Sequence, residues 1–285
     1  MRNRPAPKRH HAVPEMLQKR FVDGEGCLHA FDRRRADGAV FRTRPANLFV
    51  HGHLYRRTEA DGATDTVAEA WFSDLESATD PIIEKIVTAA RQGRKPALTP
   101  VEFETWLMFF FMQWKRVPDL HLTTVTDAEV EETFDELIAE LRQKHPHRAA
   151  EIDKVNTPQN RRRMAQNARV DALLRGGDEP LTLLRLRGLG VAKVTARGKS
   201  FVVSSRPVVK LTHPGRTHLL DPSCEMWLAV APDVIVGLGP GPGEEKLVGI
   251  GDPAVIRDYN EACVNQSTVF ASASAPLVRS LAKPR

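Results

Sequence analysis

Cysteine is scarce in this sequence: Cys27, Cys224 and Cys263 are the three in 285 residues, and no two stand in a Cys-x-x-Cys pair. A disulfide framework is thereby excluded, and a reducing compartment is the simplest setting. Long apolar runs are also missing. The longest covers seven residues, 106–112, far short of the roughly 20 that span a bilayer. Residues 1–11 are basic but lack the apolar stretch of a secretory signal. A cytoplasmic protein without membrane association is therefore expected. No internal repeat appears, and no helix-turn-helix, zinc-finger or RNA-recognition signature. Gly-x-Ser-x-Gly, His-Glu-x-x-His and a complete Walker sequence are absent as well, so no single motif supplies a reaction.

What is present is a globular composition, 41% apolar and 27% charged with 20 prolines, which excludes a disordered chain, a collagen-like fibre and a coiled-coil rod. Charge is unevenly spread. Residues 1–57 carry 13 basic and 5 acidic side chains, residues 58–153 carry 9 and 20, and residues 154–285 carry 19 and 11. Two positive ends around an acidic middle can pack against that middle, or they can present basic surface to phosphates or nucleic acid.

Local pattern divides the chain in three. Residues 1–60 read as short strands at 27–31, 40–42 and 49–51 with turns near Gly26 and Gly38. Residues 66–175 read as helices. Val67, Trp71, Leu75, Ala78, Ile82, Ile86, Val87 and Ala90 recur at helical spacing, with a break or kink expected at Pro81. Thr99-Pro100-Val101-Glu102 and Thr126-Asp127-Ala128-Glu129 have capping-box form. The first opens a helix so apolar around residues 106–114 that it belongs at the centre of the fold. The second opens an amphipathic helix striped by Val130, Phe134, Leu137, Ile138 and Leu141, and a further helix runs from Pro158 to the glycines at 176 and 177. Residues 181–285 read as a short helix, then β-branched strands at 191–195, 201–203, 208–209, 227–230, 234–236 and 247–250. A helix from Pro253 to about Gln266 and a last strand at Val269 and Phe270 follow. The glycine-rich stretch 237–243 lacks the Lys-Ser/Thr end of a phosphate cradle and reads as a loop. The expectation is one α+β domain over 1–285, with a mostly antiparallel sheet built from N-terminal and C-terminal strands and covered by the central helical segment.

Several polar groups are candidates for chemistry. His10 and His11 are adjacent, so on a strand they face opposite ways and cannot hold one metal together; one can act as ligand or general base, or both can lie in a solvated basic tail. His51-Gly52-His53 puts two imidazoles on one strand face, as in many zinc sites, unless Gly52 marks a loop. Asp74 and Glu76 point apart on their helix, where a solvated face is the default. Arg116 can cap the apolar helix or grip an anion bidentately. Arg161-Arg162-Arg163 sits where the helix dipole disfavours cations, so it is either a solvated face or an anion contact.

His10-His11-Ala12-Val13-Pro14-Glu15, with Phe21-Val22-Asp23 and Phe31-Asp32 after it, resembles the opening of a widespread family, domain of unknown function 4238. Leu54-Tyr55, Leu75-Glu76 with Pro81-Ile82-Ile83, and Arg116-Val117-Pro118 are similar to later elements of that family. So are Val203-Ser204-Ser205-Arg206-Pro207-Val208, Leu220-Asp221-Pro222-Ser223, and Tyr259-Asn260. The resemblance covers most of the chain. Ala12, Glu15 and the Ser205-Arg206 pair depart from its usual Tyr, Gln and Asp-Asn. It implies site positions at His10, His11, Glu76, Arg116, Ser205 and Asn260, brought into one cleft if the chain ends meet. With His10, His11, Glu76 and Asn260 as catalytic groups and Arg116 and Ser205 as substrate contacts, a divalent metal being compatible, the set suits a phosphodiester hydrolase or nuclease whose partner is nucleic acid or another phosphate-bearing ligand. The alternative is a non-catalytic interaction module in which these groups form a structural polar network.

Overall fold

A computed structural model describes residues 9–52, 54–118, 126–174, 177–212, 218–219, 221, 223–239 and 241–283. Strand β1 (Arg9–His11) leads through Pro14 into a short helix, α1 (Glu15–Gln18). Strands β2 (Leu28–Asp32), β3 (Phe41–Thr43), β4 (Val50–Gly52), β5 (Arg57–Thr58) and β6 (Thr64–Asp65) follow. Gly38 makes the turn between β2 and β3 at φ 55°, a left-handed conformation open to glycine.

The helical segment starts with α2 (Val67–Arg91), one continuous helix with Pro81 inside it, and not the broken helix that the proline predicts. Proline removes one ladder donor, yet Phe72, Ile82, Ile83, Ile86, Val87 and Ala90 are buried on both sides of it, and that packing holds the helix together. The buried face also differs from the expected stripe: Phe72 is inside, whereas Val67 is 68% exposed. Helix α3 (Pro100–Lys115) begins with both halves of its capping box, Glu102 N donating to Thr99 Oγ1 at 3.2 Å and Thr99 N to Glu102 Oε2 at 2.7 Å. Trp106, Leu107, Phe109, Phe110, Phe111 and Met112 are all buried, so α3 is the central helix its composition requires. Helix α4 (Asp127–Lys144) likewise has its capping box. Helices α5 (Ala149–Val155), α6 (Pro158–Leu174) and α7 (Asp178–Arg185) complete the segment; residue 176, part of the expected stop of α6, lies outside the described residues.

The remaining chain forms β7 (Leu189–Val194), β8 (Val203–Ser204), β9 (Val208–Leu211), β10 (Glu225–Ala231), β11 (Val234–Leu238), β12 (Glu245–Ile250), helix α8 (Pro253–Asn265), β13 (Val269–Ser272) and helix α9 (Ala275–Ala282). Phe201 and Val202 fall before β8 and outside the ladder, and α9, capped by Ser274, is an element the pattern does not announce. A five-stranded sheet has the order β12-β7-β11-β10-β9, antiparallel except for β12 beside β7. The second sheet, β3-β2-β13-β8, joins the two ends of the chain, with Phe270 opposite Phe31 and Ala271 opposite Ala30. This is an α+β fold whose sheets are mostly antiparallel, with α2 and α3 packed on the larger one. No helix among the described residues is long and apolar enough to cross a membrane.

The glycine-rich stretch 237–243 is not a phosphate cradle. Gly237 and Leu238 end β11, and a Cβ at Gly237 would lie 2.0 Å from the Met226 carbonyl oxygen and 2.7 Å from Trp227 Cε3. The glycine is there for close strand and indole packing. Residue 240 lies outside the described residues.

Candidate functional site

The His-His segment is buried and clamped. Strand β1 pairs antiparallel with β4, His10 opposite His51 and His11 opposite Val50, and Ala12 N continues the ladder to Phe49 O at 2.9 Å. Gln18, fully buried on α1, reaches back with Nε2 to Val13 O at 2.8 Å and Leu48 O at 3.3 Å. A solvated basic tail is therefore the wrong description of this segment. His53, the second member of the His-x-His pair, lies outside the described residues.

From β1 the His10 ring points at the first turns of α2. Its Nε2 is 3.2 Å from Glu69 Oε1, with the two side chains 5% and 10% exposed. The edge of the same ring meets Tyr55, centroids 5.7 Å apart; Tyr55 packs on Phe72 at 4.7 Å, and the Arg116 guanidinium lies over the other ring at 4.9 Å from the Phe72 centroid. Arg116 Nη2 then donates to Glu76 Oε1 at 2.7 Å. With its amide oxygen turned toward the guanidinium, Gln113 accepts from Arg116 Nη2 at 3.0 Å and Nε at 3.3 Å. One chain of contacts thus runs from His10 through Tyr55 and Phe72 to Arg116 and Glu76, with Glu69 joined to it at His10. Glu69, Phe72 and Glu76 stand at i, i+3 and i+7, one face of α2, which is why a single helix supplies three members.

Two features mark this cluster electrostatically. Burial pushes the Glu69 carboxyl above its ordinary range, with the Arg56 charge opposing. Burial also pushes the Tyr55 hydroxyl up to about 12; Arg116 works against that shift and Glu76 with it. Tyr55 therefore remains a proton donor at any working pH. Among the described residues, Tyr55 Oη and Glu69 Oε2 are buried polar atoms with no hydrogen-bond partner. The Glu69–His10 contact is close but poorly angled, so Oε1 lacks a well-formed bond too. His11, on the opposite face of β1, ends in a buried Nε2 in the same condition. Buried orphans of this kind are uncommon in native proteins and gather where water, an ion or a ligand completes them.

The remaining expected site residues have other partners. Asn260 on α8 accepts from Val202 N at 3.1 Å and donates to Ser200 O at 2.9 Å, pinning the strand entry before β8. Ser205 Oγ accepts from Thr268 N and Val269 N at 3.1 and 3.2 Å, fastening the β8 exit to β13. Asp221 Oδ1 accepts from Ser223 N and Oγ in a local turn, while residues 220 and 222 of that element lie outside the described residues. Arg161 is spent on Glu131, Asp135 and Asn156, and Arg163 donates to Glu59 O. Arg116 is the C-cap residue of α3, but its guanidinium goes to Glu76. Among the described residues, no three His, Cys, Asp or Glu side chains converge as a metal would require.

Sequence reasoning passed over Glu69, and its spacing to Phe72 and Glu76 was the available signal. A family model described as Protein of unknown function (DUF4238) matches residues 9–215, a span that opens at β1 and contains His10, Tyr55, Glu69, Glu76 and Arg116. No curated protein and no solved structure matches the chain significantly.

Proposed function

The chain belongs to the family of proteins of unknown function DUF4238, and on that premise we propose that Glu69, which shares the neighbour His10 with Tyr55, is the acid–base centre of a hydrolase acting on phosphodiesters or nucleic acid. The observation that carries this reading is the pair of unpartnered buried atoms, Tyr55 Oη and Glu69 Oε2, beside a carboxyl raised by burial. A carboxyl raised by burial is a better general base than an ordinary one. Glu69 Oε2 takes a proton from water and the oxygen adds to phosphorus. The ester P–O bond breaks, and the leaving oxygen recovers the proton from Glu69. Tyr55 Oη, kept protonated by burial, donates to a phosphoryl oxygen as charge builds there. His10 is a positioning residue, its Nε2 packed 3.2 Å from Glu69 Oε1. The Glu76–Arg116 pair seats Phe72 and Tyr55, and the excess of basic residues over 1–57 favours an anionic substrate.

The test is hydrolysis of bis(p-nitrophenyl) phosphate, single- and double-stranded DNA, and RNA by wild type and Glu69→Gln. Wild type turns over at least one substrate, and the variant loses about 100-fold or more at unchanged fold. A wild type inert on all of them, or a fully active variant, overturns the reading.

A second reading rests on Arg116, which is 1% exposed and engaged by Glu76, Gln113 and Phe72. On it, the same groups form a structural network fixing β1 to the helices of a non-catalytic interaction module. Glu69→Gln then lowers the melting temperature, and no substrate is cleaved.

A further inference from the structure

One cross-strand row of the five-stranded sheet is built unlike its neighbours. Trp227 on β10 stands opposite Gly237 on β11, Gly237 opposite Gly190 on β7, and Gly190 beside Lys246 on the parallel strand β12. The next row, on the other face of the sheet, is the buried core of Leu228, Val236 and Val191. Two adjacent glycines inside a sheet weaken it, so the room they leave calls for a reason. That room holds the indole. A Cβ at Gly237 would lie 2.7 Å from Trp227 Cε3, and one at Gly190 3.1 Å from Trp227 Cη2, so the ring lies along the sheet over both glycines. Trp227 Nε1 donates to Glu225 Oε2 at 2.7 Å, which fixes the ring's orientation.

Trp227 is only half-buried, and it lines a cavity of about 200 Å³ with Arg187, Gly190, Glu225, Lys246 and Val248. Among the described residues no other ring stacks on this indole. The charges around the cavity do not balance. Arg187 is 8% exposed, and its Nε and Nη1 donate to the carbonyls of Gly239 and Leu219 at 3.1 and 3.0 Å. Those bonds hold the guanidinium in place but bring no counter-ion, and among the described residues no carboxylate pairs with Arg187 or with exposed Lys246. Two cations, one of them buried, thus share the cavity with one carboxylate that already accepts from the indole. A buried charge without a counter-ion is costly, and an anion in the cavity relieves that cost. The volume is below the roughly 300–1,000 Å³ of whole small-molecule sites, so it takes one ring and not an extended ligand.

We propose that this cavity is a binding site for a planar ring that carries an anionic group, the ring stacked on Trp227 and the anion set toward Lys246 and Arg187. A nucleotide and an aromatic carboxylate share that chemistry. Fluorescence titration of wild type, Trp227→Phe and Lys246→Glu with adenosine monophosphate, adenosine and nicotinate tests the proposal and separates the two sources. Adenosine monophosphate or nicotinate is expected to quench wild type saturably; quenching by the first assigns a nucleotide, by nicotinate alone an aromatic acid. Trp227→Phe, which keeps a smaller ring on the glycines, should lose the quench. Lys246→Glu, altered at an exposed position, should bind about tenfold more weakly at an unchanged melting temperature, and adenosine about tenfold more weakly than its monophosphate. The proposal is overturned if neither anion quenches wild type at millimolar concentration, if the quench survives Trp227→Phe, or if Lys246→Glu binds as wild type does. None of these residues belongs to the Glu69 cluster, so this binding and the proposed hydrolysis stand or fall separately.

Discussion

Three buried polar side chains near the C-terminal strands and two near the N-terminus are satisfied to very different degrees. Around the C-terminal strands, Asn260, Ser205 and Arg187 spend their capacity on backbone: Asn260 on Val202 N and Ser200 O, Ser205 on Thr268 N and Val269 N, Arg187 on the carbonyls of Gly239 and Leu219. Each substitutes for a missing ladder bond, and each is what an irregular strand entry or exit needs. At the N-terminal cluster, Tyr55 Oη and Glu69 Oε2 are as deeply placed but answered by nothing among the described residues. Polar burial that ends in backbone bonds is scaffold. Burial that ends in unanswered atoms costs stability, and its retention points to use.

The sharpest contrast is in activity. Tyr55→Phe removes only the hydroxyl and leaves the ring on Phe72 and His10, so hydrolysis of the cleaved substrate should fall about 10²-fold or more while the fold holds. Steady-state rates on that substrate check it. Next comes Asn260→Ala, which strands a buried N–H and a buried carbonyl. Chemical denaturation should show a loss of about 2–4 kcal/mol, with unchanged specific activity of the folded fraction. If Asn260→Ala instead leaves stability intact and abolishes turnover, the division between the two clusters fails.

How much of this is legible beforehand follows from what local pattern encodes. The capping boxes at Thr99 and Thr126 and the all-round apolar α3 are local signals, and the structure has them as expected. Pro81 misleads because the packing of Ile82, Ile83 and Ile86 outweighs one lost ladder bond. His10 and Arg116 stand out by residue type. Glu69 does not, since a glutamate in a first helical turn is ordinary until β1 is laid against it, and that pairing connects residues about sixty positions apart. Ser205 and Asn260 look like site residues in the sequence, yet they hold backbone groups of segments about sixty positions away, a pairing that local pattern does not encode.

A smaller effect sharpens the comparison through pH. Asp233 binds Arg91 bidentately, Nε to Oδ2 at 2.9 Å and Nη2 to Oδ1 at 2.8 Å, tying the end of α2 to the β10–β11 turn. Burial alone would raise the Asp233 carboxyl, but the Arg91 fork outweighs it and the net shift is downward. A depressed carboxyl contributes stability above its unfolded range and loses it on acidification. Arg91→Ala should therefore cost about 0.5–1 kcal/mol at neutral pH, the pair being half exposed, and the gap to wild type should close in acid.

Glu69 has the opposite sign. A carboxyl held above its unfolded value favours folding most when protonated, and that contribution fades as pH rises through its folded range. The neutral amide of Glu69→Gln escapes this cost. Thermal unfolding of wild type and Glu69→Gln across the range from acid to neutral pH is the most direct test: the variant should melt at or above wild type at neutral pH, with the advantage shrinking in acid. A Glu69→Gln protein that melts several degrees below wild type at neutral pH would make the His10–Glu69 contact a structural bond and contradict the account.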